Sequence, residues 1–147
     1  NYNQSLDWHL TEFAFHQGVQ KNLQALNCLY RETTAMHQCQ FSAQGFEWMS
    51  YDDAQNSVLA YVRHGAQAAD AVLVVCNLTP QPHDAYRVGL PFGKKLVLKY
   101  SSDDTEFGGS GYRVAGQITP ESMPIHGRST SAILALPPLG AVVYQIL

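Results

Sequence analysis

The sequence is poor in charged residues. Lys, Arg, Asp and Glu make up 14% of its 147 residues, whereas about 25% is usual in soluble domains. The nine Lys and Arg residues are scattered, and the net charge is −3. Nucleic-acid-binding domains carry a basic stripe or patch, so no nucleic-acid partner is expected. Low charge together with 46% apolar residues predicts strands buried on both faces, or a surface that docks on another domain or protein.

Long apolar runs are also missing. The longest covers residues 71–76, far short of the roughly 20 residues that span a bilayer. No basic segment followed by an apolar run opens the chain, so the sequence shows no signal peptide. We therefore expect no membrane partner.

Motifs for metals and cofactors are absent. The six His residues show no HxH or HExxH spacing, and the three Cys residues show no CxxC spacing, so we predict no metal site. The glycines near residue 110 do not follow an apolar strand, which excludes a phosphate-binding loop, and no cofactor is expected. Three unpatterned cysteines indicate a reducing, cytoplasmic compartment.

Residues 17–33 are predicted to form a helix. Val19, Leu23, Leu26 and Tyr30 recur at the spacing of one helical face. Burial of each of these four side chains would stabilise the folded protein by roughly 1.5–3 kcal/mol. The apolar stripe therefore needs a partner surface.

After about residue 40 the pattern changes to short strands separated by turns. Strands are predicted at residues 57–63, 71–76, 86–88, 96–100, 133–136 and 141–146, and the last two are separated by a predicted turn at Pro137–Gly140. The continuous apolar run at 71–76 is typical of a central strand covered on both sides. Short strands at roughly ten-residue spacing favour an antiparallel β-sandwich or barrel. The break near residue 40 suggests two domains, the end of a helical layer at 1–40 and an all-β module at 41–147.

Nine stretches together resemble the C-terminal end of bacterial glycogen (1,4-α-glucan) branching enzymes, members of the α-amylase family. They are SLDWHL at 5–10, HQGVQ at 16–20, LNxLYR at 26–31 (x is any residue), GFEW at 45–48, NSVL at 56–59, VCNLTP at 75–80, YRVG at 86–89, HGR at 126–128 and LALPPL at 134–139. Each stretch alone is weak, whereas the ordered set is specific and covers nearly the whole chain.

The resemblance implies an architecture and an activity. Residues 1–40 would be the last loop and helix of a (β/α)₈ catalytic barrel, and residues 41–147 the C-terminal β-sandwich. The intramolecular partner would be that barrel, and the substrate an α-glucan such as glycogen. Retaining enzymes of this kind use one carboxylate as nucleophile and another as acid/base. These residues would precede Asn1, so this chain carries no catalytic residue and is expected to be inactive alone.

Three residues are candidates for contact with substrate. Asp7 and Trp8 lie in the segment that the resemblance assigns to the active-site side of the barrel, and Tyr112 lies in a glycine-rich loop. The alternatives are a structural or capping role for Asp7, an anchoring role for Trp8 and an ordinary loop position for Tyr112. Trp48 is expected in the core.

Other functions are compatible with a β-sandwich. A stand-alone carbohydrate-binding module would need a row of exposed aromatic side chains on one sheet face, whereas the predicted strands are mostly aliphatic. A different C-terminal domain of the α-amylase family, such as that of a debranching enzyme, is disfavoured by the GFEW and NLTP segments. A generic immunoglobulin-like interaction domain is the remaining alternative.

Overall fold

The computed structural model describes residues 2–3, 5–67 and 69–147. One long helix, α1, is followed by eight strands and preceded by a 3₁₀ turn at Trp8–Glu12. The bounds are α1 Ala14–Glu32, β1 Phe46–Asp53, β2 Val58–His64, β3 Ala71–Asn77, β4 His83–Leu90, β5 Leu96–Ser101, β6 Gln117–Ile118, β7 Thr130–Leu136 and β8 Gly140–Ile146. Further 3₁₀ turns lie at Thr34–Met36, Ala43–Gly45 and Thr105–Phe107.

The strands form two antiparallel sheets. The larger sheet has the order β1-β2-β3-β8-β5-β6, and β4 pairs with β7 in the smaller one. Pairing of β3 with β2 and with β8 runs without interruption, from Ala71 opposite Ile146 to Asn77 opposite Gly140 on the β8 side. The edge strand β1 is irregular, with register shifts between Trp48 and Asp53. The predicted antiparallel β-sandwich is therefore confirmed.

The main core fills the space between the two sheets. Alternate residues of each strand point inward, as the two-residue period of a strand requires. Fully buried members include Leu73 on β3, Leu134 on β7 and Tyr144 on β8. The Tyr144 hydroxyl donates a hydrogen bond to the Ala115 carbonyl at 2.8 Å, so its polar end is satisfied although the ring is buried.

Strand β3 is covered on both faces, as its apolar run predicts. Leu73 and Val75 face the core between the sheets, whereas Val72 and Val74 face a second apolar cluster on the outer side. That second cluster includes Ala35, Tyr100 and Val143, against which the helix residues Ala25 and Leu29 pack. The long helix thus covers part of the outer face of the six-stranded sheet.

The VCNLTP segment has a structural role. The buried Asn77 side chain donates hydrogen bonds to the Gln81 carbonyl at 2.8 Å and the Pro137 carbonyl at 2.9 Å. It also accepts hydrogen bonds from the Thr79 backbone and hydroxyl. Asn77 therefore ties the β3–β4 connection to the turn between β7 and β8, where Pro137 to Gly140 were expected to form a turn.

Candidate functional site

Helix α1 contacts the sandwich with one face and leaves its apolar stripe uncovered. Gly18 is the buried residue of the helix, Asn22 accepts a hydrogen bond from the Tyr100 hydroxyl, and Ala25 and Leu29 pack on the second cluster. These positions are offset by one residue from the predicted stripe, which is about 100° around a helix. The two faces are therefore adjacent but separate.

The predicted stripe is exposed along its whole length. Relative exposure runs from 40% at Leu26 to 68% at Val19, with 59% at Leu23. The segment around the helix adds more exposed apolar side chains, namely Leu6, Trp8, Phe13, Phe15 and Phe41. An exposed apolar stripe of this kind is typical of an interface with another domain or protein.

Asp7 and Trp8 lie at the first 3₁₀ turn, just before α1. Asp7 occupies the N-cap position of Trp8–Glu12, but its side chain makes no capping hydrogen bond. Both side chains are exposed, Trp8 at 65%. The Phe13 N–H bonds the Leu10 carbonyl at 3.1 Å, so the turn runs directly into the helix.

Tyr112 is half-buried, and its hydroxyl donates a hydrogen bond to the Asp84 carboxylate on β4. This hydrogen bond, with smaller effects from burial and from the Asp84 charge, raises the pKa of Tyr112. Tyr112 thus contacts β4, whereas the Asp7–Trp8 turn contacts α1.

An aromatic cluster on β1 and β2 is the feature that the sequence analysis missed. The rings of Phe46, Trp48, Tyr51 and Tyr61, here called the aromatic patch, contact one another. Trp48 lies edge-on to Phe46 at a centroid distance of 4.9 Å, and Phe46 stacks on Tyr61 at 5.1 Å. Trp48 is 46% exposed and Tyr51 is 67% exposed. The expectation that Trp48 is a core residue was wrong.

Alternation along β1 was the available signal for this patch. Phe46 and Trp48 are two residues apart, so a strand places both on one face, while Met49 points to the core. The rings therefore lie on the outer face of the sheet, where α1 covers β3, β8 and β5 and leaves Trp48 on β1 partly exposed. Sequence alternation separates the two faces of β1 but does not reveal which one faces the core, and the indole was therefore assigned to the wrong face.

Glu47 is the centre of a charged cluster. Its carboxylate bonds the Arg128 guanidinium through Oε1 and His64 Nε2 through Oε2, the latter at 3.0 Å. The cluster connects β1 and β2 to the segment before β7. The GFEW and HGR motifs therefore meet in space and cross-link the two sheets.

Asp53 and Asp103, each of which belongs to a pair of adjacent aspartates, hold turns with their side chains. Asp53 accepts hydrogen bonds from the Asn56 side chain and from the Tyr86 hydroxyl. Burial alone would raise the pKa of Asp53, but these hydrogen bonds outweigh it and lower the pKa below its ordinary value. Asp103 likewise accepts three hydrogen bonds within its own loop. Both side chains act as charged acceptors at fixed turns.

A cleft of about 620 Å³ lies between α1 and β5. Acidic and hydroxyl side chains line much of it, including Glu32, Thr34 and Asp70, and the Thr34 hydroxyl bonds the Asp70 carboxylate. Its two aromatic residues, Tyr100 and Phe107, stack on each other at 5.9 Å. The cleft therefore offers no free ring on which a sugar could stack.

Within residues 2–3, 5–67 and 69–147, no cluster of three or more His, Cys, Asp or Glu side chains could hold a metal ion. In the same described ranges, no helix is long and apolar enough to cross a membrane.

Relatives match this chain over almost all of its length. They include the proteins named 1,4-alpha-glucan branching enzyme from Pseudomonas aeruginosa (43% identical over 145 residues, 99% of this chain and 20% of the relative), Shewanella sp. strain MR-4 (39% over 143 residues, 97% and 19%) and Aquifex aeolicus (39% over 142 residues, 97% and 22%). The chain spans about a fifth of the length of these curated relatives.

Residues 48–146 match the family described as alpha amylase, C-terminal all-beta domain. This range covers seven of the eight strands completely and most of β1. The fold agrees, since the matched residues form the antiparallel sandwich. The chain therefore belongs to the family of C-terminal all-β domains of the α-amylases.

Proposed function

We propose that this chain is the C-terminal part of a 1,4-α-glucan branching enzyme, in which residues 1–40 complete the (β/α)₈ catalytic barrel and residues 41–147 form the C-terminal sandwich. The proposal includes a cytoplasmic location, supported by three unpaired cysteines. It is also supported by identities of 39–43% to relatives that carry the name of this enzyme.

The observation that carries the proposal is the uncovered stripe of α1. The sandwich already has a complete core, and the helix already contacts it through Gly18, Ala25 and Leu29. None of these contacts uses the stripe. Its apolar side chains are 40–68% exposed, and they stabilise the protein only when another surface covers them. The curated relatives are about five times longer than this chain, and the additional chain would provide such a surface.

The proposed reaction is carried out upstream of this chain. A retaining transfer needs a nucleophilic carboxylate and an acid/base carboxylate on one substrate, and catalytic residues of (β/α)₈ barrels lie at the ends of barrel strands. The carboxylates of Asp53 and Asp103 are instead occupied by hydrogen bonds at turns. The role of this chain is to stabilise the barrel and to contact glucan.

Glucan contact is proposed at two places. The aromatic patch presents the exposed rings of Trp48 and Tyr51, and sugar faces stack on exposed aromatic rings. Trp8 presents a second exposed ring on the segment assigned to the barrel. The Asp7 carboxylate beside it can accept hydrogen bonds from sugar hydroxyls.

Thiol labelling tests the docking of α1. In the isolated chain and in the full-length enzyme, both with the exposed Cys28 replaced by Ser, Leu23→Cys is treated with a thiol reagent and the modified peptide is quantified by mass spectrometry. We expect rapid labelling in the isolated chain and strong protection in the full enzyme. Gln24→Cys is the matched control, because this neighbouring exposed position lies about 100° farther around the helix. Equal labelling of Leu23→Cys in both proteins would refute docking.

A stand-alone carbohydrate-binding module is the second candidate function, favoured by the aromatic patch. The two functions differ in what the isolated chain does. A module would bind amylose by itself and remain monomeric, whereas a barrel-docking part exposes the α1 stripe and associates when the barrel is missing. Sedimentation of the isolated chain, with and without amylose, distinguishes them.

A further inference from the structure

The backbone of α1 rests directly on a loop of the sandwich. A Cβ atom on Gly18 would lie 2.5 Å from the Phe107 carbonyl oxygen and 2.7 Å from its carbon. Only glycine allows so close an approach. Because no flexible side chain separates the two backbones, a shift of the loop moves the helix with it.

The loop is folded in a way that holds this carbonyl in place. The Asp103 carboxylate accepts hydrogen bonds from the Ser110 N–H at 2.8 Å, the Ser110 hydroxyl at 2.6 Å and the Tyr112 N–H at 2.9 Å. The Asp104 side chain caps the 3₁₀ turn Thr105–Phe107 through the Glu106 N–H. We call residues 103–112 the buttress loop.

The contact lies near the N-terminal end of the helix. Gly108 adopts φ of +87°, and a Cβ there would lie 3.4 Å from a ring atom of Phe15. The buttress loop therefore touches both the first and the second turn of α1. The 3₁₀ turn that carries Trp8 precedes this end directly and also contacts the helix.

We propose that the buttress loop is a positioning element, through which the sandwich sets the place of the Asp7–Trp8 turn relative to the glucan. The inference rests on the proposed function, since it assumes a branching enzyme in which this turn meets substrate. Gly18 and Asp103 are then positioning residues: Gly18 makes the contact and Asp103 holds the shape of the loop. The loop affects how a glucan chain is held and takes no part in breaking its bonds.

The test compares Gly18→Ala with Gly116→Ala in the full-length enzyme. A Cβ on Gly116 would meet nothing within 4 Å, so this variant controls for glycine replacement. Alanine is the better helix former, and a defect in Gly18→Ala is therefore not a weakening of the helix. All measurements are made well below the unfolding temperature of the variant.

Three readouts are compared: amide hydrogen exchange of residues 5–13, the KM for amylose against kcat, and the length distribution of transferred chains. For Gly18→Ala we expect faster exchange at residues 5–13, a several-fold higher KM, a kcat within about twofold of the wild type and a changed chain-length distribution. Gly116→Ala is expected to match the wild type.

Asp103→Asn is the second variant, because Gly18→Ala could fail to fold. It keeps the size of the side chain, disturbs the loop alone and should change the same three readouts in the same direction. Unchanged exchange in a folded variant would overturn the coupling. Faster exchange with unchanged KM and chain lengths would overturn the positioning role. If the wild-type full-length enzyme does not branch amylose, the proposed function is wrong as well.

Discussion

Trp48 on β1 lies directly opposite Tyr61 on β2, with the two rings edge to face at a centroid distance of 5.8 Å. Cross-strand pairs of this kind hold each other in place. Phe46 and Tyr51 contact the same indole. The result is a fixed aromatic surface at the edge of the larger sheet.

Trp48→Ala is expected to weaken binding to glycogen. Aromatic stacking contributes about 0.5–1.5 kcal/mol, so the affinity should fall roughly twofold to thirteenfold. Migration of the full-length enzyme through gels containing glycogen measures the effect. Met123→Ala, another exposed apolar residue, is the control and should migrate as the wild type does. If Trp48→Ala migrates as the wild type does, the proposal of glucan contact at the aromatic patch is wrong.

The isolated chain is expected not to branch amylose. Its described carboxylates at Glu47, Asp53 and Asp103 are engaged in structural contacts. An iodine-stain assay with the purified chain should show no loss of absorbance, whereas the full-length enzyme should lower it. Loss of absorbance with the chain alone would contradict the proposed division of labour.

Leu23→Ala should destabilise the full-length enzyme but not the isolated chain. Leu23 is 59% exposed in the chain, so its truncation there should change the free energy of unfolding by less than about 0.5 kcal/mol. Buried against a barrel, the same truncation should cost roughly 2–5 kcal/mol. Leu73 is fully buried between the sheets, so Leu73→Ala should lower the free energy of unfolding by roughly 2–5 kcal/mol in both proteins. Denaturant midpoints measure all four changes, and equal small shifts for Leu23→Ala in both would exclude docking.

Stability should fall in acid through Asp103. Burial opposes its charge, but hydrogen bonds from Ser110 and Tyr112 prevail and lower its pKa below the ordinary 3.8. A lowered folded-state pKa contributes stability above the unfolded value, which is lost as pH falls through the folded value. Asp103→Asn should therefore be less stable than the wild type at pH 7, and the difference should shrink below pH 3.8. Urea midpoints across this range test it, with the exposed Asp52→Asn as control. A pH-independent difference would contradict this role of Asp103.

Stability should also fall in alkali through buried tyrosines. Burial raises the pKa of Tyr144 from 10.0 to about 12. A raised folded-state pKa contributes stability that is full below pH 10.0 and is lost as pH rises through the folded value. Tyr144→Phe loses the hydrogen bond to Ala115, at a cost of about 0.5–1.5 kcal/mol near neutral pH. Between pH 10 and 12 its thermal midpoint should fall less steeply than that of the wild type.

The exposed Tyr51→Phe is the control and should follow the wild type throughout. Parallel curves for Tyr144→Phe and the wild type would show that the Tyr144 hydroxyl does not control alkaline unfolding.

Local pattern predicted most elements of the fold. The helix expected at 17–33 begins earlier, at Ala14, and ends at Glu32, since Phe13 takes the N-cap position without a polar cap to mark it. The six predicted strands are all present. Strands β1 and β6 were not predicted. Glu47, Ser50 and the Asp52–Asp53 pair interrupt the apolar residues of β1, and β6 has only two residues.

The candidate site was less accessible to sequence reasoning. Periodicity identified the α1 stripe, and it is the exposed face of the helix. The face that contacts the sandwich begins at Gly18 and Asn22, residues without an apolar side chain, so no apolar pattern marks it. The glycine is informative only once the Phe107 carbonyl is seen beside it.

By itself the sequence determined six of the eight described strands, the turn at Pro137–Gly140, the low charge and the surplus apolar stripe, because each depends on neighbouring residues and on the period of a helix or strand. Only the tertiary structure decided that Trp48 is exposed, that Glu47 meets Arg128 and that the buttress loop supports α1. Those outcomes depend on how the sheets and α1 pack and on contacts between residues as many as 93 positions apart, which no local pattern contains.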